Sequence, residues 1–124
     1  MKNVLVVLFL LIGASTFGQS TKGMYRHVVM FTFKETSSAA SVDSVVNAFM
    51  GLGKKIPVVK SIEWGLNNSP ENFHQGFTHC FVLTFANTSD RDAVYQKHPA
   101  HMEFQKILQP HMEKVFVVDY KVEN

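Results

Sequence analysis

Residues 77–85 read FTHCFVLTF, and this stretch restricts the fold more than any other in the chain. Phe77, His79, Phe81, Leu83 and Phe85 fall on one face of an extended segment, and Thr78, Cys80, Val82 and Thr84 on the other. Successive side chains of a strand point to opposite faces. A strand here therefore carries apolar groups on both sides and needs cover on both. Residues 25–34, YRHVVMFTFK, repeat the pattern: His27, Val29, Phe31 and Phe33 oppose Val28, Met30, Thr32 and Lys34. The two segments are predicted to pair within one sheet.

Between them the periodicity changes. Val42, Val45, Val46, Phe49 and Leu52 form a helical stripe, with Ser37 or Ser38 as N-cap, Gly53 as the expected stop and Pro57 barring continuation. Residues 58–67, VVKSIEWGLN, read as a strand of imperfect alternation, which predicts a bulge or twist. Residues 68–76 are turn chemistry. After the 77–85 strand, NTSDRDAVYQK opens a helix capped by Thr88 or Ser89 and broken at Pro99. AHMEFQKILQPHME continues as a further helix, and KVFVVDYKV is the last strand. Trp64 and Phe104 read as core. The order is β-α-β-β-α-β, an α+β arrangement with two helices on one face of an antiparallel sheet. The face bearing Val28, Met30, Cys80 and Val82 is then left bare, which predicts a face-to-face homodimer with a barrel-like core.

Residues 1–18 differ in kind. Lys2 precedes an apolar run from Val4 to Ile12, followed by small and polar residues, with Thr16 and Gly18 at the −3 and −1 positions of a cleavage site. A helix spanning a bilayer takes about 20 apolar residues, so a secretory signal peptide is expected, then a linker at 19–24 and one domain over 25–122. The expectation is an exported protein, periplasmic or secreted, with no stable membrane anchor after cleavage. The single cysteine, Cys80, rules out an intramolecular disulfide. A formal charge of +2 without a basic run gives no footprint for nucleic acid.

Six histidines and eleven phenylalanines carry the chemical content. His27 and His79 lie on the phenylalanine faces of the two paired strands, which look toward the helices. Should the second helix lie over the sheet, His101 and Tyr95 approach them in a cavity walled by Phe31, Phe49 and Phe81, suited to a small apolar or aromatic ligand. Histidine exchanges protons near neutral pH, and a phenol can hydrogen-bond a carbonyl or enolate. His98-Pro99 is a helix-start device. Two histidines around a proline, with no carboxylate or thiolate at fixed spacing, do not make a metal site. The alternative is that these histidines are structural, hydrogen-bonded within a core.

RHVVMFTFK, KIPVVKSIEWGLNNSPENFHQGFTHCFVLTF, HPAH and EKVFVVDY together resemble the stress-responsive dimeric α/β-barrel (Dabb) family, from about Tyr25 to Val122. The resemblance implies a ferredoxin-like protomer forming a dimeric α/β barrel. Members include plant stress proteins without an assigned reaction and polyketide cyclases of the olivetolic acid cyclase type, which use no metal or organic cofactor. In those cyclases the second histidine of the HPAH-like motif is the general acid/base, assisted by a tyrosine three residues before the first. His101 and Tyr95 stand at those places, and His27 and His79 match pocket-lining histidines. Met112 stands where the cyclases carry a pocket-lining tryptophan. The resemblance thus implies cofactor-independent His/Tyr chemistry of the cyclase, lyase or isomerase type. The alternative is a non-catalytic stress-response homodimer.

Overall fold

The computed structural model describes residues 20–124; the expected signal peptide at 1–18 lies outside the described residues. The chain runs β1 (Tyr25–Phe33), α1 (Ala39–Lys55), β2 (Ser61–Leu66), β3 (His79–Phe85), a π-helical turn (Asp90–Tyr95), α2 (Pro99–Leu108) and β4 (Met112–Lys121). The four strands form one sheet in the order β2-β3-β1-β4. Every neighbouring pair is antiparallel. This is the ferredoxin-like α+β fold, with both helices on one side.

Ser38, not Ser37, caps α1, its hydroxyl accepting from the Ser41 N–H at 3.1 Å. The apolar stripe turns inward, with Val45, Val46, Phe49 and Leu52 all buried. The expected stop at Gly53 is overturned, because the helix continues to Lys55. Gly53 serves packing instead. A Cβ there would lie 2.7 Å from the Ile62 side chain, so its absence lets α1 close onto β2. Lys54 and Lys55 sit favourably at the negative end of the helix dipole.

Two further expectations are corrected, the bulge in β2 and the cap before the π-helical turn. β2 pairs with β3 without interruption; the irregularity lies between Thr32 and Phe33, where β1 meets β4. The chain before the π-helical turn is capped by neither Thr88 nor Ser89. The Asn87 carboxamide oxygen accepts from the Asp90 N–H at 2.7 Å. Asn is as good a cap as Ser or Thr, and its bond to the N–H three residues on is the usual N-cap spacing, with Thr88 and Ser89 already helical.

The core lies between helices and sheet. Phe49 stacks on Phe104 at 4.5 Å and meets Phe81 at 4.4 Å, and Phe31 packs against both Phe49 and Phe81. Phe104 is buried as expected, but Trp64, on edge strand β2, is 43% exposed and is not core. On the opposite side of the sheet, Val28, Met30, Cys80 and Val82 are half-buried, and Phe116, Val118 and Tyr120 of β4 are exposed. This bare apolar face follows directly from two strands with two apolar faces and helices sufficient for one.

Candidate functional site

The helices do not cover the whole inner face either. Val115 and Val117 of edge strand β4 point to the helix side, level with Phe31 and Val29, yet each is 46% exposed. Between them and α2 lies a cavity of about 350 Å³. His27, Phe31, Phe49, Tyr95, His101 and Met112 line it, joined by Phe104, Leu108 and Asp119.

Local sequence builds its roof. Pro99 occupies the start of α2, where its missing N–H costs no helical bond. The His98 Nδ1 accepts from the Ala100 N–H at 3.1 Å and caps the helix. His98 is therefore the structural member of the HPAH pair. His101, two residues beyond Pro99, is turned inward and is 7% exposed. Its Nδ1–H donates to the Gln96 carbonyl at 3.3 Å. A carbonyl only accepts, so neutral His101 carries its proton on Nδ1 and its lone pair on Nε2. Burial pushes the His101 imidazole below its ordinary pKa; the bond to Gln96 opposes this in part, and His27 adds to the lowering.

Tyr95 ends the π-helical turn and is fully buried. Its ring stacks on His101 at 4.5 Å and approaches His27 at 5.8 Å. Burial raises its phenol far above the ordinary range, so it stays protonated, and a donor, at any physiological pH. His27 enters from β1, with Nδ1 2.6 Å from the Asp119 carboxylate of β4. The cavity wall thus offers one imidazole acceptor, one phenol donor and a second histidine held by a carboxylate, among apolar side chains.

The structure brings six of the eight sequence-derived residues together and separates two. His79 does not line this cavity. It shares a face with His27, but the antiparallel register pairs His79 with Phe31 and Leu83 with His27. Four residues of strand, about 13 Å, therefore divide the two histidines. His79 instead stacks on Trp64 at 5.9 Å, meets Phe33 edge-on at 4.9 Å and bonds the Thr78 hydroxyl at 2.8 Å. Burial lowers its pKa, with Asp43 pulling the other way. Phe81 is wholly buried against Phe31 and Phe49 and supports the wall from behind.

Asp119 and Gln96 line the site, and Arg91 stands behind Asp119 with Nη1 3.6 Å from its carboxylate; none of the three belongs to the sequence reading. Asp119 had a usable signal: it is the one acid in the apolar stretch KVFVVDYKV, in phase with Val115 and Val117. Arg91 and a backbone carbonyl had none. Among the described residues no three His, Cys, Asp or Glu side chains converge as metal ligands.

Residues 25–122 match the sequence model of the Dabb family, the stress responsive A/B barrel domain. The chain is 37% identical over 103 residues to stress-response A/B barrel domain-containing protein HS1 of Arabidopsis thaliana, covering 83% of this chain and 94% of that protein. It is 27% identical over 95 residues to olivetolic acid cyclase of Cannabis sativa, covering 77% and 93%. Among solved structures, hydroxynitrile lyase from Passiflora edulis superposes with a TM-score of 0.76 at 27% identity, over 85% of this chain and 97% of that one. A dimeric protein with a ferredoxin-like fold from Bacteroides fragilis does so with a TM-score of 0.65 at 30% identity, over 82% and 99%.

Proposed function

The chain belongs to the stress-responsive A/B barrel family, and on that premise we propose that it is an exported homodimer whose α2–β4 cavity performs acid–base chemistry on a small carbonyl-containing molecule. The reaction is of the cyclase, lyase or isomerase type. His101 is the general acid/base and Tyr95 the hydrogen-bond donor to the oxygen on which charge develops. His27, Phe31, Phe49 and Met112 bind the substrate, with Phe81 behind them and His79 outside the cavity.

The observation that carries the reading is the stacked His101–Tyr95 pair in the cavity wall. A desolvated imidazole is neutral and basic near pH 7, while a desolvated phenol stays a donor. A base facing a donor can remove a proton next to a carbonyl, or from a hydroxyl, while the phenol holds the oxyanion. The side chains alone supply this chemistry. Two relatives support the class: one is named as a cyclase and another as a hydroxynitrile lyase. Dimeric neighbours and the bare sheet face support the homodimer, and the Lys2-to-Gly18 pattern supports export.

The non-catalytic alternative also rests on an observation. His98 caps a helix, and His111 bonds the Ser37 hydroxyl at 2.8 Å, so histidines are used structurally in this fold. Native mass spectrometry of protein purified from its own compartment separates the two. The expected result is a dimer retaining a small ligand, which is lost when Leu108→Trp fills the cavity. A dimer that is empty in both forms supports the structural alternative.

A further inference from the structure

We propose that Arg91 is a positioning residue of the cavity: it anchors Asp119 and, through it, holds His27 as the Nδ1–H tautomer with Nε2 free to accept a proton. The inference rests on the reading that this cavity performs acid–base chemistry, and it adds a second ordered imidazole to His101.

The geometry runs through one oxygen. Asp119 Oδ1 is 2.6 Å from His27 Nδ1 and 3.6 Å from Arg91 Nη1. A carboxylate only accepts, so His27 must donate from Nδ1. Asp119 alone is poorly held for this task. It sits on edge strand β4, its side chain is a third exposed, and water competes for its oxygens. Arg91 removes that freedom. Its side chain is 16% exposed, and its guanidinium is oriented by Asp92, itself 59% exposed, to whose two oxygens Nε and Nη2 donate at 2.6 and 3.0 Å. Both bonds fix the plane of the fork and leave Nη1 toward Asp119.

The π-helical turn is what makes this placement available. The Gln96 N–H bonds the Arg91 carbonyl, five residues back, at 3.0 Å. Such widened turns recur at functional sites. Here one turn presents Tyr95 to His101 and His27, and Arg91 to Asp119. The charged and titratable groups facing His27 are Asp119 from β4, Tyr95 and Arg91 from the turn and His101 from α2. Asp92 lies near enough to interact with His27 as well as with Arg91, and Tyr25 acts on Arg91. Both histidines of the cavity then donate from Nδ1 into the protein, and both can direct Nε2 at a ligand.

The test needs no substrate. In the full chain labelled with 15N-histidine, long-range 1H–15N spectra at neutral pH report the tautomer of each ring. His27 is expected as Nδ1–H in the unmodified protein. Arg91→Ala is expected to shift it toward the Nε2–H form that free histidine prefers, and Asp119→Asn to shift it further. Arg91→Lys, a point charge without the fork, should restore it only in part. His101, bonded to Gln96, is the internal control and should not move. Should Arg91→Ala fail to fold, Arg91→Gln is read the same way. A His27 spectrum unchanged by loss of the Arg91 charge overturns the proposal. Because the readout is a tautomer and not turnover, its failure is distinct from failure of the acid–base reading.

Discussion

Tyr95→Phe removes one oxygen and leaves the ring. The ring is fully buried and touches Phe85, His27 and His101, so packing is preserved in the variant. What changes is titration. A phenol in the unfolded chain ionises near its ordinary pKa of about 10, whereas burial holds the native Tyr95 neutral well beyond that. The group's native pKa is raised, so its contribution is intact below about pH 10 and is lost as pH rises toward the native value. One pH unit above the unfolded value corresponds to about 1.4 kcal/mol. For a domain of roughly 100 residues, that is about 5–10 °C of Tm at pH 11. Thermal melts of both proteins between pH 7 and 11 provide the assay. Lysines and the other tyrosines titrate equally in both, so the difference isolates Tyr95. The wild type should lose about 1.4 kcal/mol more than the variant by pH 11. Parallel curves would refute the claim that this phenol is held dry and protonated.

Acid should probe His101 from the other side. Its native pKa is lowered, so it stabilises the fold above the unfolded value of about 6.5 and that contribution disappears as pH falls toward the native value. Melts between pH 7.5 and 5 should fall more steeply for the wild type than for His101→Phe, and equal slopes would contradict a desolvated imidazole. Two glycines of α1 should respond oppositely to alanine. Gly51 has open space and should gain about 0.5–1 kcal/mol, whereas Gly53 would press on Ile62 and should lose about 1–3 kcal/mol, as read from urea midpoints. Phe49→Ala, which empties the centre of the aromatic core, should cost about 3–5 kcal/mol by the same measurement; a loss below about 1 kcal/mol would contradict the described packing.

The architecture was legible because its signals are periodic. Two-faced strands at 25–33 and 79–85, with one helical stripe ending at Leu52, leave little choice beyond two layers and a bare sheet face. The site was legible only where periodicity coincides with it. His101 follows from Pro99 and the helix phase, and His27 from strand alternation. His79 could not be placed, because alternation gives the face but not the register, and the register puts His79 beside Phe31. Gly53 misleads for a related reason. A glycine near a helix end and a glycine at a close approach look alike until β2 is in position. The π-helical turn leaves no compositional trace, so Arg91 and the Gln96 carbonyl were invisible until the fold brought them to His27 and His101.

The central claim is that stacked His101 and Tyr95 form an acid–base pair within a substrate cavity. Its most direct test is turnover of a panel of aromatic and aliphatic hydroxynitriles and linear poly-β-keto compounds by the wild type, His101→Ala and Tyr95→Phe. Loss of a general acid/base typically costs about 10²–10⁴-fold. The account predicts wild-type turnover of at least one class, a loss of that size in His101→Ala, a loss of about 10²–10³-fold in Tyr95→Phe, and folded variants by circular dichroism. Turnover that survives both substitutions, or none by the wild type across the panel, would contradict it.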